Sequence, residues 1–415
     1  MTVDVPFAEE LDTCMRCGYC KAVCPTWRQV GWESASPRGK AFWLSRMARA
    51  SPLDRMAGLR AEPTERFFRH FHYCTLCGMC SEVCEVSIPL HRVWEETRER
   101  LAASGWGPLP GHAAMAASLR TKRNPYDQPP AKRVEWMGDR HPPGQAEVAW
   151  FVGCSESYNQ FQAAGAGMRL LDAAKVPWTV LGTEEWCCGN PHGKTGLTEG
   201  LDEHARHNVD ALEATGATSV VSGCPGCVLT IGTTYPRRGL RGDFQTQHLT
   251  ETLADLLAKG RLPIRRQFEG GRVIYPAPCE LGRVGGRVYA APRRLLDAAC
   301  GRGEWLEFPK NRDLGACCGG GGAFKAVDDE AAVAIGVRKL EEAVALGADT
   351  IVSACPTCRF NFNHAVQALK RKRREGGREG GPAGGDGPAG EGGRGQADRV
   401  KLRVLDIKEL LERCI

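Results

Sequence analysis

The pattern of apolar positions divides the chain into an N-terminal helical part and a later part in which strands and helices alternate. In SPRGKAFWLSRMARA the residues Phe42, Leu44, Met47 and Ala48 recur at helical spacing, and HRVWEETRERLAAS shows a second helical pattern. From residue 146 onward, short β-branched runs such as TSVVSG and TIVSA alternate with helical patterns. That alternation predicts parallel α/β units.

The later part of the chain also repeats itself. AEVAWFVGCSESY matches GGRVIYPAPCELG, and HNVDALEATGATSVVSGCPGCVLTI matches RKLEEAVALGADTIVSACPTCRFNF. The two tails, FQTQHLTETLADLLAKG and VKLRVLDIKELLERCI, correspond as well. Each copy is predicted to run strand, helix, strand, helix, strand, helix, with cysteines at the strand ends. Sites in parallel sheets lie at the carboxyl ends of strands, so we expect the chemistry there.

We therefore predict an α plus α/β architecture. Residues 1–105 form an α-helical domain, 106–145 form a Gly- and Pro-rich linker, and 146–265 and 270–415 form two tandem α/β repeats, called repeat 1 and repeat 2. Repeat 2 contains EGGREGGPAGGDGPAGEGGRGQAD, whose composition cannot bury a core. Residues 375–398 are accordingly predicted to be a disordered surface insertion.

The location of the protein follows from what the sequence lacks and from its cysteine content. No apolar run approaches the roughly 18–20 residues of a membrane span, and the acidic start MTVDVPFAEELDT lacks a secretory signal pattern. We expect a reducing cytoplasmic location, with peripheral attachment at the inner face of the membrane through a partner. Twenty cysteines in that compartment indicate metal or redox chemistry instead of disulfides.

Two runs in the N-terminal part share the spacing C-x2-C-x2-C-x3-C. They are Cys14, Cys17, Cys20 and Cys24, and then Cys74, Cys77, Cys80 and Cys84. This is the run of bacterial two-cluster ferredoxins, in which the fourth cysteine serves the other cluster. We assign Cys14, Cys17, Cys20 and Cys84 to one [4Fe-4S] cubane, and Cys74, Cys77, Cys80 and Cys24 to the second. Zinc is the alternative for CxxC pairs, but four-cysteine runs repeated so regularly disfavour it.

The net charge changes once these clusters are counted. The formal charge is +6, and two cubanes that each carry about −2 with their thiolates give 6 − 4 = +2. The basic run KRKRR is expected to be a solvated helix end that leads into the insertion. We therefore expect no nucleic-acid partner.

Five further cysteines recur at matched spacing in each repeat, and each set includes a vicinal pair. The sets are Cys154, Cys187, Cys188, Cys224 and Cys227, and Cys279, Cys317, Cys318, Cys355 and Cys358. Neighbouring Cα atoms lie about 3.8 Å apart across a trans peptide. This is below the usual disulfide range of about 4.4–6.8 Å, so a vicinal pair favours two thiolates offered to one metal centre. Gly319 and Gly320 would let backbone N–H groups approach such a cofactor, with a flexible turn as the alternative.

Both repeats resemble the cysteine-rich CCG domain found in the B and D subunits of heterodisulfide reductases. The same domain occurs in iron–sulfur subunits of glycolate oxidase and anaerobic glycerol-3-phosphate dehydrogenase. The N-terminal part is similar to the ferredoxin domain that heterodisulfide reductases carry in their C subunit, and the fused order is similar to that of their D subunit. The resemblance implies that the ten repeat cysteines are catalytic and hold one or two noncubane [4Fe-4S] clusters.

That resemblance implies an oxidoreductase that acts as a subunit of a complex. Electrons would pass through the two cubanes to centres in the CCG repeats, which reduce a disulfide-type substrate. One alternative is an electron-relay subunit of a flavin-dependent glycolate, lactate or glycerol-3-phosphate dehydrogenase. Another is a docking scaffold whose repeats bind zinc or nothing. The electron donor, the substrate, the direction of flow and the oligomeric state stay open.

The sequence contains no convincing flavin or nicotinamide site of its own. GNPHGKT lacks the first glycine of a phosphate-binding loop, because Cys188 stands there, and GGGG is not a GxGxxG motif. We therefore expect a flavoprotein, a membrane cytochrome or a quinone-linked subunit as partner, and a small disulfide or thiol as substrate. Cys300 and Cys414 are predicted to be buried small hydrophobic residues, and His192 to bond backbone.

Overall fold

The computed structural model describes residues 4–49, 53, 56–57, 63–379 and 402–415. In its described residues, the N-terminal domain is helical. Thr64 accepts a hydrogen bond from the N–H of Phe67 (3.1 Å) and so caps one of its longer helices. The helices are α1 (Ala8–Asp12), α2 (Tyr19–Ala22), α3 (Pro25–Val30), α4 (Pro37–Ala48), α5 (Glu65–His72), α6 (Met79–Glu82) and α7 (Leu90–Ala103).

The connector between residues 106 and 145 contains more regular structure than the linker that its composition predicts. It forms helix α8 (Pro110–Lys122) and a 3-10 segment (Pro130–Met137). A Cβ added to Gly111 would lie 2.1 Å from the carbonyl oxygen of Ala326, so α8 packs tightly against repeat 2. The prolines and glycines that suggest a linker flank these elements instead of filling the whole segment.

Each repeat is built on a four-stranded parallel sheet, and the two sheets have the same strand order. The orders are β2-β1-β3-β4 and β6-β5-β7-β8. The strands are β1 (Val148–Trp150), β2 (Trp178–Thr179), β3 (Ser219–Ser222) and β4 (Gln245–His248), and β5 (Val273–Tyr275), β6 (Leu306–Glu307), β7 (Thr350–Ser353) and β8 (Arg403–Asp406). The predicted α plus α/β class is confirmed. The corresponding tails of the sequence supply the fourth strand of each sheet, which the three-strand pattern did not count.

Helices cover the sheets and join the two repeats by reciprocal packing. Helix α15, which follows β4, packs on α16 of repeat 2, and α19, which follows β8, packs on α10 of repeat 1. The contacts form one apolar core shared by both repeats. The helices are α9 (Cys154–Asn159), α10 (Phe161–Ala173), α11 (Asn190–Thr195), α12 (Leu201–Ala214), α13 (Pro225–Leu229), α14 (Tyr235–Arg237) and α15 (Leu249–Ala258), then α16 (Ala290–Cys300), α17 (Asp329–Ala345), α18 (Pro356–Glu379) and α19 (Ile407–Glu412).

Helix α18 continues to Glu379, and the predicted insertion at 375–398 lies outside the described residues from position 380 onward. No helix in the described ranges is both long enough and apolar enough to cross a membrane.

A fully buried arginine ties the three parts of the chain together. Arg98 of α7 donates through Nη1 to the carbonyl oxygens of Lys194 in repeat 1 and Gly322 in repeat 2 (2.8 Å for Gly322). Its Nη2 donates to the carbonyl oxygens of His72 (3.3 Å) and Cys74 (3.0 Å) in the N-terminal domain. A single guanidinium thus fixes the loop after α5 against both repeats.

Candidate metal centres

The repeats place their cysteines at equivalent strand ends. Cys224 and Cys355 each follow a central strand by two residues, and each N–H donates to the serine that ends that strand (3.2 Å in both cases). A proline then opens the next helix, α13 or α18. Cys154 and Cys279 also occupy equivalent positions, each four residues after the end of a strand, β1 or β5. The matched sequence spacing therefore becomes matched geometry at the carboxyl edges of both sheets.

The two N-terminal runs fold into the same local conformation. The residue before the second cysteine has positive φ in both runs (Arg16, 57°; Leu76, 51°), and so does the glycine after it (Gly18, 89°; Gly78, 75°). Each glycine begins a short helix that carries the third cysteine. Glycine has no Cβ and therefore adopts this left-handed conformation without a steric cost. Each loop can therefore turn sharply enough to direct its first three cysteine side chains toward one cavity.

The fourth cysteine of each run lies with the first three of the other run. One cavity is lined by Cys14, Cys17, Cys20 and Cys84, and another by Cys24, Cys74, Cys77 and Cys80. Burial raises the pKa of Cys20 to about 12, and the nearby Cys14 and Cys17 thiols add to the shift. Burial and Cys74 likewise raise the pKa of Cys24 to about 11. Thiols crowded in this way stay protonated unless a cation or cluster compensates them.

The second cavity contains groups that can compensate anionic sulfur. The N–H groups of Trp27 and Leu76 each donate to a cysteine sulfur, Cys24 and Cys74 respectively, at 3.4 Å. Lys40 is buried beside the same two cysteines, and its ammonium donates to the carbonyl oxygen of Tyr73 (3.0 Å). Soft sulfur ligands with backbone N–H donors are the surroundings that iron–sulfur clusters take in proteins.

The five thiols of repeat 1 lie next to one another in a single series. It runs through Cys154, Cys187, Cys188, Cys227 and Cys224 in that order. Cys187 and Cys227 flank Cys188 and lower its pKa to about 6. A Cβ on Gly153 would lie 3.1 Å from the sulfur of Cys227, so the glycine keeps the backbone close to the thiols.

Repeat 2 repeats this chain of thiols with the equivalent residues. Its order is Cys279, Cys317, Cys318, Cys358 and Cys355. The N–H of Gly319 donates to Cys317 Sγ (3.3 Å), and the N–H of Gly320 donates to Cys318 Sγ (3.4 Å). Gly319 has φ +93°, close to the +87° of Gly189 after the vicinal pair of repeat 1. The glycines thus contact cysteine sulfur, and the ten-thiol donor set fits iron–sulfur clusters.

The cysteine sets are adjacent to one another. Cys77 of the second N-terminal cavity lies beside Cys317, and the interaction of the two thiols is the leading cause that lowers the Cys77 pKa. Between the repeats, Cys355 lies near Cys224. The neighbouring Cys358 thiol lowers the pKa of Cys355, but burial and the Cys224 thiol outweigh it, so the pKa of Cys355 is raised. Three of the four sets, the second N-terminal set and those of repeat 2 and repeat 1, therefore follow one another through the protein.

Two buried arginines beside the cysteines were missed from the sequence. Arg133, from the 3-10 segment of the connector, donates to Cys154 Sγ (3.3 Å) and pairs with Glu185 (2.7 Å). Arg283 donates to the carbonyl oxygen of Gly315 (2.7 Å), and its Nη2 is buried without a hydrogen-bond partner. The nearby Cys77, Cys279 and Cys317 raise the Arg283 pKa against the effect of burial, which is the largest cause and lowers it. Each set in the repeats therefore has a guanidinium against it.

The remaining residues singled out from the sequence lie outside these sets. His192 bonds through Nδ1 to the carbonyl oxygen of Leu197 (2.8 Å), as predicted. Cys414 is fully buried as predicted, whereas Cys300 is partly exposed. Across the ranges that the structure describes, no three Cys, His, Asp or Glu side chains are arranged to hold a single metal ion.

Comparison with known proteins identifies the families to which these parts belong. Residues 148–232 and 273–363 match the cysteine-rich domain (CCG), and residues 10–88 match the 4Fe-4S dicluster domain. The chain is 34% identical over 372 residues to the D subunit of dihydromethanophenazine:CoB–CoM heterodisulfide reductase from Methanosarcina barkeri. That alignment covers 87% of this chain and 90% of the relative.

One further related protein and one solved structure are also similar to this chain. EtfAB:quinone oxidoreductase of Syntrophomonas wolfei is 28% identical over 406 residues, which cover 87% of this chain and 56% of that protein. The crystal structure of a hypothetical protein from Helicobacter pylori has the same fold, with a TM-score of 0.52, 12% identity and coverage of 91% and 68% of the two chains. The resemblance inferred from the cysteine pattern is thus confirmed. The chain belongs to the CCG-domain iron–sulfur oxidoreductases, the family that includes the D subunit of heterodisulfide reductase.

Proposed function

We propose that this chain is the electron-transfer and catalytic subunit of a heterodisulfide-reductase-like complex. Two cubane clusters in the N-terminal domain would pass electrons to noncubane [4Fe-4S] centres in both repeats, where a disulfide-type substrate is reduced. The observation that carries the proposal is the completeness of both five-cysteine sets, whose thiols follow one another in the same order. A chain that only relayed electrons would not need two complete and equivalent sets.

The order of the cysteine sets supports one direction along the molecule. Cys17 is exposed, so the first cubane is the natural point of exchange with a partner. The contact between Cys77 and Cys317 joins the second cubane to repeat 2. The proximity of Cys355 to Cys224 then joins repeat 2 to repeat 1. Repeat 2 would therefore receive each electron before repeat 1 does.

The overall reaction takes one disulfide, two electrons and two protons to two thiols, and breaks one S–S bond. The bound clusters would supply the two electrons one at a time. The chain itself holds the two cysteine sets at a fixed separation through the shared core of α10, α15, α16 and α19. Arg133 and Arg283 place positive charge beside the sets and so favour their more negative, reduced state.

The electrons must come from another protein in this proposal. We propose no flavin or nicotinamide site in this chain, so a partner must take electrons from the primary donor. The partner would be a flavoprotein, a membrane cytochrome or a quinone-linked subunit. Reversal of the flow, from thiols to the partner, uses the same series of centres.

The electron-relay role in a flavin-dependent dehydrogenase is the second candidate. The similarity to a protein named EtfAB:quinone oxidoreductase favours it, although the chain spans only 56% of that protein. In a relay, the repeats would hold one cubane or no cluster at all. The two candidates thus differ in whether reduced protein delivers electrons to a disulfide.

A single-turnover experiment separates them. The anaerobic full chain is reduced with dithionite, freed of reductant, and mixed with a panel of low-molecular-weight disulfides while its visible absorbance is followed. We expect reoxidation that yields two thiols for every two electrons, and loss of that reaction in Cys224→Ser with the N-terminal clusters still reducible. Reoxidation that is absent with every disulfide, or unaffected by Cys224→Ser, would favour the relay.

A further inference from the structure

The exposed apolar side chains of the protein are concentrated in the segment of the chain that carries and follows the first cysteine run. Among the described residues, seven of the nine exposed large apolar side chains lie between positions 15 and 56. The nine are Met15, Tyr19, Trp32, Phe42, Trp43, Leu53, Met56, Phe161 and Leu314. Exposed apolar groups that cluster in this way mark interaction sites.

Four residues form one continuous surface with the loop that carries Cys17. Met15 (60% exposed) and Arg16 line the same cavity as Cys17. The Arg16 guanidinium lies 4.9 Å from the centre of the Phe42 ring, which is 6.2 Å from the Trp43 ring. We call Met15, Arg16, Phe42 and Trp43 the Cys17 patch. Its location means that whatever covers it also covers the exposed thiol.

The segment that carries the patch is predominantly basic, whereas α1, which packs on α4, contributes the carboxylates of Glu9, Glu10 and Asp12. Residues 14–49 contain seven basic side chains and one carboxylate, Glu33. The basic residues are Arg16, Lys21, Arg28, Arg38, Lys40, Arg46 and Arg49. Glu33 pairs with Lys21 (2.6 Å) and Arg38 (2.8 Å), and Asp12 pairs with Arg49 (2.7 Å).

Arg16 and Arg46 are the two arginines in or beside the patch that are available to pair with a partner protein. Within the described part of the chain, neither has a carboxylate within 4 Å, although the exposed Glu85 lines the same cavity as Arg16. Arg46 follows Phe42 by four positions on α4, so the two side chains share a face of that helix. An apolar centre flanked by unpaired cations is complementary to a surface with an apolar centre and an acidic rim.

We propose that the Cys17 patch docks an acidic electron-carrier protein, so that the carrier's redox centre approaches the first cubane directly. The inference rests on the proposed function, because it requires a cluster held by Cys14, Cys17, Cys20 and Cys84. A redox protein fits better than a lipid surface, because the patch adjoins the exposed thiol of the proposed electron-transfer site. Opposite charges steer such encounters and raise association rates by about 10- to 1,000-fold at low salt.

The test uses reduced plant-type [2Fe-2S] ferredoxin, an acidic carrier, as the probe. Its second-order rate constant for reducing the cluster-loaded full chain is measured by stopped flow at low and high salt. We expect Arg16→Glu/Arg46→Glu to lower that constant at least tenfold at low salt, with the difference lost at about 1 M salt, where the screening length is about 3 Å. The matched control Arg120→Glu/Arg294→Glu reverses two exposed arginines elsewhere and should leave the constant unchanged.

Further measurements separate the possible failures. Reduction by dithionite, followed by EPR, must be the same in all variants, and a first cubane that dithionite cannot reduce would overturn the proposed function itself. With reducible clusters, equal ferredoxin rates in both double variants, or no reaction of the wild type, would overturn the docking proposal alone. So would binding to phosphatidylserine vesicles that Arg16→Glu/Arg46→Glu abolishes while the ferredoxin rate is unaffected.

Discussion

The Nη2 atom of Arg133 lies 3.3 Å from the sulfur of Cys154, which sets a cation from the connector against the cysteines of repeat 1. The same guanidinium pairs with Glu185, whose carboxylate also accepts the N–H groups of Val152 (2.8 Å) and Gly153 (2.9 Å). Both charged side chains are almost fully buried. The connector is therefore part of the site and helps to fix the loop between β1 and Cys154.

Arg133→Gln should destabilise the protein strongly, because it leaves Glu185 charged, buried and without its cation. Removal of one partner from a buried pair costs about 3–5 kcal/mol. Chemical unfolding followed by circular dichroism measures the loss. The control is Arg140→Gln in the same connector, whose exposed pair with Asp172 has the same 2.7 Å distance. That variant should change the unfolding free energy by less than about 0.5 kcal/mol, and equal losses in the two variants would contradict this account.

Arg283→Gln should lower the reduction potential of the centre in repeat 2. Its guanidinium lies beside Cys77, Cys279 and Cys317, and a cation there stabilises the extra negative charge of the reduced state. We expect a shift of about 60 mV or more to lower potential, which is a tenfold change in a one-electron equilibrium. An EPR-monitored redox titration measures it. Arg287→Gln, an exposed neighbour paired with Glu82 (3.0 Å), should leave the potential unchanged; equal shifts would rule out the role of Arg283.

His248 should make the folded state less stable in mild acid. The ring accepts no proton easily, because burial lowers its pKa from 6.5 to about 4, with Lys408 adding to the shift and Asp406 opposing it. Between these pH values the unfolded chain binds the proton and the folded chain does not. Above pH 6.5 His248 therefore has no effect on the free energy of unfolding. As the pH falls from 6.5 toward 4, uptake of the proton by the unfolded chain lowers the free energy of unfolding by about 3 kcal/mol.

His248→Asn tests this, because asparagine can replace histidine as the cap of α15. The pH dependence of the unfolding free energy between pH 4 and 6.5 should become flatter in that variant. The exposed His141→Asn serves as the control and should keep the wild-type slope. An unchanged slope in His248→Asn would show that other groups cause the acid sensitivity.

The sequence predicted the architecture because its signals are local. The β-branched runs that end at Cys224 and Cys355 become the central strands β3 and β7, and equal spacing of the cysteines predicts equal positions. His248, the last residue of β4, caps α15. Helix α8 was missed because Gly and Pro flank its Ala-rich stretch, GHAAMAASL, which by itself is a helix-forming composition.

Contacts between distant parts of the chain could not be predicted in this way. Arg133 and Arg283 are single arginines in segments without periodicity, and only the fold brings them to sulfur atoms. The contact of Cys77 with Cys317 depends on how the N-terminal domain sits on repeat 2, which Arg98 helps to fix through Gly322. One signal was available for Arg283, since it follows Cys279 by only four residues.

Iron and acid-labile sulfide quantitation on anaerobically purified full chain, with EPR of the reduced protein, shows whether tetranuclear clusters occupy all four cysteine sets. We expect about sixteen iron atoms for each chain and the signals of more than one type of [4Fe-4S] centre. About eight iron atoms, with cubane signals alone, would contradict that expectation, because only the N-terminal domain would then be loaded.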